Sequence, residues 1–96
     1  MKTAMDDSQF HRIAKALADP TRFRLLEKIG SDKEMPCAML TADSSITQAT
    51  ISHHLKELSD AGLVESRKEG KFMILTARRD RLTEYQRELR KRLGLR

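Results

Sequence analysis

Apolar positions along the chain fall into several runs with helical spacing and one stretch with strand-like character. Phe10, Ile13, Ala14 and Leu17 recur at three- and four-residue steps, which predicts an amphipathic helix over residues 8–18. Asp19-Pro20 then reads as a helix start, with the carboxylate as N-cap and proline at the first helical position. Phe23, Leu25, Leu26 and Ile29 supply the apolar stripe of that second helix, which Gly30 ends. Pro36 opens a short third helix over residues 37–42, and the polar run Asp43, Ser44, Ser45 makes the turn that follows it. Thr47 is a good N-cap for a fourth helix, residues 47–61, with Ile51, Leu55 and Leu58 at i, i+4, i+7 and Gly62 as its stop. Residues 63–68 and 71–76 are strand-like and separated by Glu69-Gly70, the chemistry of a tight hairpin. A last helix, residues 79–93, carries Leu82, Tyr85, Leu89 and Leu93 as a narrow seam.

That order, a short helix, a glycine stop and a basic hairpin, is what a winged helix-turn-helix uses to read duplex DNA. The expected fold is therefore mainly α with a small β-hairpin, about five helices plus a two-stranded wing in the order ααααββα. At about 100° per residue, Ala49, Ser52, His53 and Lys56 turn away from the buried stripe of the fourth helix. Its outward face is thus small and polar at the start and cationic further along. Small residues let the backbone approach base edges, while Thr47, Gln48, Thr50 and Ser52 offer groups that bond to bases or phosphates. Arg67, Lys68 and Lys71 cluster at the hairpin tip, residues 63–76 forming a wing that lies on the backbone or in the minor groove. The bland alternative for each of these cations is an ordinary solvated turn residue.

At 96 residues the chain is read as one domain, residues 1–96, with residues 1–7 as a disordered tail. No apolar run approaches the ~20 residues that span a bilayer, and no signal-peptide core is present, so no membrane partner and a cytoplasmic location are expected. The lone Cys37 allows no internal disulfide. The net charge of +5 is unevenly placed: residues 1–77 hold 11 Lys/Arg against 11 Asp/Glu, and residues 78–96 hold 8 against 3. Local placement therefore argues for nucleic acid better than bulk basicity does. Arg87, Arg90, Lys91 and Arg92 read as the solvated side of the last helix, whereas Arg78, Arg79 and Arg81, next to the end of the wing, are better placed to add phosphate contacts if the helix starts near the DNA. The first and last helices, residues 8–18 and 79–93, each keep an apolar stripe. Pairing them across a two-fold axis through Phe10, Ile13, Leu17, Leu82, Tyr85 and Leu89 would bury both and double the DNA reader.

LADPTRFRLLEKI, TQATISHHLKELSDAGLV and RKEGKFMILT together resemble the ArsR/SmtB family of winged-helix transcriptional repressors. The resemblance covers residues 10–89 and is most specific at the ADPTR opening of the second helix and at SHHLKEL in the fourth. It implies a homodimer that occludes a pseudo-palindromic double-stranded DNA operator and lets go when an inducer arrives. The small-molecule or redox identity of such an inducer stays open. The sequence departs from the family where many members hold metal: Pro36 and Ala38 stand at the thiolate positions of the third helix, and the last helix has no histidine. Asp80, Glu84 and Glu88 share a face there, but arginines four residues away make ion pairs the better reading. Ser44 and Ser45 also replace the usual apolar residue and glycine of the turn.

His11 reads as a surface residue, His53 as part of the DNA face, and His54 as either a packing residue or a phosphate contact. Adjacent histidines on a helix diverge by about 100° and make no metal motif. Cys37 reads first as a packing residue and second as a candidate redox site, activated by its place at a helix start. Two other functions stay in view, a metal- or thiol-reactive sensor of the same fold and a winged-helix protein-interaction module. No arrangement of nucleophile, base and phosphate loop suggests an enzyme, and neither metal nor cofactor is implied. A soft-metal site needs about three or four N/S ligands, and beyond carboxylates each protomer offers only Cys37 and three histidines. Micromolar Zn²⁺, Cd²⁺ or arsenite is therefore expected to leave operator affinity within about twofold, below the usual size of allosteric coupling. Titration of operator binding checks this, and a loss of about tenfold at one equivalent per protomer, abolished by Cys37→Ser, would contradict it.

Overall fold

The computed structural model describes residues 5–42 and 46–95. Helix α1 is Asp7–Leu17, and its N-cap is Asp6, whose carboxylate accepts from the Gln9 N–H at 2.8 Å. Asp6 and Asp7 thus belong to the helix and its cap, not to the tail in which the sequence pattern placed them. Residues 1–4 of that tail lie outside the described residues, as does the expected turn at residues 43–45 with Ser44 and Ser45. Helix α2 is Pro20–Ser31, capped as expected by Asp19, which accepts from the Arg22 N–H at 2.8 Å. It runs one residue past Gly30, closed by the Ser31 hydroxyl donating to the Lys28 carbonyl at 2.8 Å. Its buried stripe is Leu25, Leu26 and Ile29; Phe23, two residues or about 200° from Leu25, is turned outward and 43% exposed.

Strand β1, Met35–Pro36, was not expected. It pairs antiparallel with β3, Met35 opposite Leu75 and Pro36 opposite Ile74. Two residues show no alternation to detect, and proline is tolerated there because β1 is an edge strand. The wing is therefore a three-stranded antiparallel sheet in the order β1-β3-β2, with β2 at Val64–Glu69 and β3 at Phe72–Ala77. Glu69 pairs with Phe72, so the turn is Gly70-Lys71, one residue later than the sequence suggested. Gly70 takes the left-handed φ of +61° that a primed hairpin turn places at its first central position.

Helix α3, Cys37–Ala42, leads to α4, Gln48–Asp60, whose N-cap Thr47 accepts from the Thr50 N–H at 3.2 Å. The end of α4 is a Schellman motif: Gly62 N–H donates to the Ser59 carbonyl at 2.9 Å and Leu63 N–H to the Leu58 carbonyl at 3.0 Å. Gly62 supplies the φ of +78° that this requires, and Leu58 and Leu63, both fully buried, close the apolar contact that goes with it. With Ile13, Ile29, Leu40 and Ile51 they form the centre of the core.

Helix α5, Arg79–Leu93, has no side-chain N-cap but begins under a fixed backbone, because Arg78 N–H donates to the Leu63 carbonyl at 2.8 Å. The Arg78 guanidinium grips Asp80 in two bonds, 3.0 and 2.8 Å, and lies 3.5 Å from Glu65. These side-chain hydrogen bonds hold the Asp80 carboxyl down to about 2, from an ordinary 3.8. A depressed carboxylate stabilises the fold fully above its unfolded value, and that stabilisation is lost as pH falls through the folded value. The contribution is expected to be present above 3.8 and lost on approach to about 2. Asp80→Asn should therefore flatten the dependence of the urea midpoint on pH across that window relative to the parent protein. Parallel profiles would show that this solvent-exposed pair contributes nothing measurable.

Candidate nucleic-acid interface

The inner side of α4 decides what its outer side can do. Ile51, His54 and Leu58 are buried, so Gln48, Ala49, Ser52, His53 and Lys56 are all exposed on the remaining arc. Thr47 and Thr50 are exposed too, but they are tied to each other: the Thr47 hydroxyl donates to the Thr50 hydroxyl at 2.9 Å while capping the helix. The helix dipole makes this first turn a favourable place for an anion such as a phosphate. Lys56 donates to Asp60 at 3.0 Å, and that bond raises its pKa.

The wing stands beside this arc. Residues alternate across a sheet, and Ser66 and Leu75, paired in register, line a cleft of about 420 Å³ with Ser52, Lys56 and Met73. A second cleft of about 410 Å³, lined by Gln48, Ser52, Lys71 and Phe72, continues toward the wing tip. The polar arc of α4 and the hairpin are thus two walls of one concave surface. Lys68, paired with Met73, shares the α4-facing side. Arg67, one residue earlier, lies on the opposite side, where its guanidinium holds Glu34 and Glu69 at 2.8 Å each. Lys68 and Lys71 have no carboxylate partner among the described residues; the Lys71 ammonium stands 6.0 Å over the Phe72 ring.

The arginines at the start of α5 are used internally. Arg79 donates to the Gly30 carbonyl at 2.6 Å, Arg78 is bound to Asp80, and Arg81 lies 3.7 Å from Glu84. These contacts tie α5 to α2 and to its own first turn, so the expected phosphate role does not fit Arg78 and Arg79 as placed. Asp80, Glu84 and Glu88 each meet an arginine, Glu88 accepting from Arg92 at 2.9 Å. Among the described residues no group of three His, Cys, Asp or Glu converges to hold a metal ion.

The open question about His54 closes on packing, since it is buried and its Nδ1 accepts from Arg22 Nε at 3.4 Å. His53 is exposed on the outer arc, and His11 is exposed on α1, 3.4 Å from Asp7. Cys37 is half-buried, and burial pushes its thiol up from 9.0, the opposite of the lowering that a reactive thiolate needs.

The terminal helices meet each other before they can meet a partner. Phe10 stacks on Tyr85 of the same chain with ring centroids 5.0 Å apart, and Arg92 lies 4.1 Å over the Phe10 ring while pairing with Asp7 at 2.8 Å. Ile13 is fully buried in the protomer core. Of the six residues expected at a dimer seam, Phe10 and Ile13 are thus occupied within the protomer, and Leu17, Leu82, Tyr85 and Leu89 are half-buried. Leu93 and Leu95, 65% and 55% exposed, extend the apolar surface beyond them. Leu95 was not singled out from the sequence, although the α5 seam already reached Leu93.

Residues 17–67 match the family model of a helix-turn-helix domain. The HTH-type transcriptional regulator YuzN of Bacillus subtilis (strain 168) is 41% identical over 69 residues, covering 66% of this chain and 75% of that one. An ArsR-like transcriptional regulator from Rhodococcus sp. RHA1 superposes with a TM-score of 0.81 at 28% identity, over 91% of this chain and 80% of that one. The homodimeric winged helix-turn-helix DNA-binding domain Mb0332 of Mycobacterium bovis superposes with a TM-score of 0.72 at 25% identity, over 90% and 84% of the two chains. The chain belongs to the winged helix-turn-helix transcriptional regulators of the ArsR family, proteins that bind DNA and are not enzymes. No helix among the described residues is long and apolar enough to cross a membrane.

Proposed function

We propose that the protein is a cytoplasmic, homodimeric repressor that occludes a pseudo-palindromic operator, with α4 in the major groove and the wing on the flanking backbone or minor groove. The observation that carries this is the shared surface: the exposed polar arc of α4 stands beside the α4-facing side of a wing whose Lys68 and Lys71 have no acidic partner among the described residues. Gln48 and Ser52 are the candidates for base readout, because a carboxamide and a hydroxyl on the first turns reach base edges. Thr47 and Thr50 present the helix N-terminus to a phosphate, and Ala49 keeps the approach close. His53 and Lys56 border the same arc. Arg67 serves the wing's own geometry more than the duplex, since both of its neighbours are carboxylates. A protein-binding use of the α4 arc is disfavoured, because interface cores rely on aromatic and Met anchors and are depleted in charge, whereas Gln48, Thr50, Ser52, His53 and Lys56 make this arc polar.

Dimerisation is expected through the carboxy-terminal part of α5 and the flank of α1. Leu89→Asp or Leu93→Asp would place a carboxylate in that seam and should shift the protein toward monomer in sedimentation velocity. Tyr85→Asp is a poorer probe of the seam, because Tyr85 also stacks on Phe10 within the protomer. An unchanged dimer in both leucine variants would place the interface elsewhere.

Base readout and backbone affinity separate by salt. Gln48→Ala is expected to relax the preference at one base pair by about 1–3 kcal/mol and to leave the salt slope intact. Lys71→Ala should weaken matched and scrambled duplexes alike and flatten the slope of log K against log salt by about one unit. Binding curves over a range of salt decide it; lost specificity at an unaltered salt slope in Lys71→Ala would reverse the two roles.

A further inference from the structure

His54 is the one buried polar side chain among the described residues, and it sits on the inner face of α4. Its surroundings are directional. Arg22 Nε lies 3.4 Å from Nδ1, and Asp19 Oδ2 lies 3.9 Å from Nε2. A guanidinium has only donors, so Nδ1 must accept, and the imidazole proton is on Nε2, turned toward the carboxylate. Asp19 is itself fixed, because its side chain caps α2 through the Arg22 N–H. The same Arg22 guanidinium also reaches the other way, with Nη1 3.4 and 3.5 Å from the carbonyl oxygens of Lys15 and Ala16 in the last turn of α1. One side chain on α2 therefore touches the end of α1 and the inside of α4.

The other inner contacts of α4, made by Ile51, Leu55 and Leu58, are apolar and nondirectional. They hold the helix against the core, and the hydrogen-bonded joint at Gly62 fixes its carboxy-terminal end; along the turns that carry Gln48 and Ser52, hydrocarbon contacts adapt to small rotations more readily than a hydrogen bond does. A buried hydrogen-bonded side chain supplies the missing direction. The cluster is not a ligand site: it has a single imidazole and a single carboxylate, and the adjacent guanidinium would repel a cation.

We infer that Arg22 and His54 are positioning residues for the DNA-reading helix, setting the roll of α4 that aims Gln48 and Ser52, and that Arg22 couples the end of α1 to that roll. This rests on the proposal that α4 enters the major groove. Because Arg22 contacts carbonyls of a helix at the expected dimer seam, a rearrangement of the seam that moved the end of α1 would reach the DNA face through one guanidinium.

The test compares the full chain with His54→Leu, His54→Asn and Arg22→Lys on a site selected from genomic fragments and on a scrambled duplex, over a range of salt, with thermal melts in parallel. His54→Leu removes the acceptor; His54→Asn returns an oxygen that accepts from Arg22; Arg22→Lys keeps the charge but loses the fork. His54→Leu and Arg22→Lys are expected to lose about tenfold or more on the selected site and less than about twofold on the scrambled one, with an unchanged salt slope because no phosphate contact is removed. His54→Asn should recover most of the loss. A folded His54→Leu with the parent ratio of selected to scrambled affinity overturns the inference. Should His54→Leu fail to fold, Arg22→Lys decides alone, and parental discrimination in it overturns the inference equally. A parent protein that does not distinguish the two duplexes would overturn the DNA-reading proposal itself, and this inference with it.

Discussion

The joint between α4 and β2 is the constraint on which the rest of the interface depends. Leu58 and Leu63 are both fully buried and meet across a reversal of the chain that only a left-handed residue permits, and Gly62 supplies it at φ +78°. Burying each leucine is worth about 1.5–3 kcal/mol, so the joint is anchored by apolar area and given its direction by two backbone hydrogen bonds. The Leu63 carbonyl then receives the Arg78 N–H, which brings the end of the hairpin back to the same point. The carboxy-terminal end of α4, the wing and α5 therefore all take their bearings from a few residues around Gly62, and the concave surface between α4 and the hairpin follows from that geometry.

The cationic excess of the chain does different work from the one its sum suggests. The excess lies in residues 78–96. Yet Arg78, Arg79, Arg81 and Arg92 are bound to Asp80, the Gly30 carbonyl, Glu84 and the Asp7–Glu88 pair. Guanidinium groups suit this role because their planar fork bonds carboxylates and carbonyls in fixed directions. What is left to attract a polyanion on the concave surface is a small set: the α4 N-terminus, Lys68 and Lys71. On the proposed reading, so short a list of cations would give a modest, counterion-driven affinity and leave discrimination to the polar arc of the helix.

The helices were legible because their ends are chemically marked: Asp19-Pro20, Thr47 and Gly62 act through local hydrogen bonds and backbone preferences that need no tertiary partner. Periodicity also identified buried stripes, but it says that a face is covered and not by what. Phe10 and Tyr85 therefore read as a seam between protomers, whereas they stack on each other within one. Phe23 was misjudged for a related reason, since its stripe had one apolar residue more than the core could take. β1 was invisible because a two-residue strand containing proline has no pattern of its own and exists only through its pairing with Ile74 and Leu75. Arg67 and Lys68 looked equivalent in the sequence; alternation puts them on opposite sides of the sheet, and only the packing of the wing against α4 decides which side each takes. His54 could not be assigned from α4 alone, because its partners Asp19 and Arg22 lie more than thirty residues earlier.

The measurement that bears most directly on this account is a hydroxyl-radical footprint of the protein on fragments it selects from genomic DNA. Two copies of α4 related by a two-fold axis should protect two patches on one side of the duplex, centred about 10 bp or a multiple apart, within a sequence of pseudo-palindromic character. Lighter protection should flank each patch where the wing lies. Uniform protection with no preferred sequence, or a single patch with no symmetric counterpart, would contradict the claim that this concave surface, doubled by dimerisation, reads an operator.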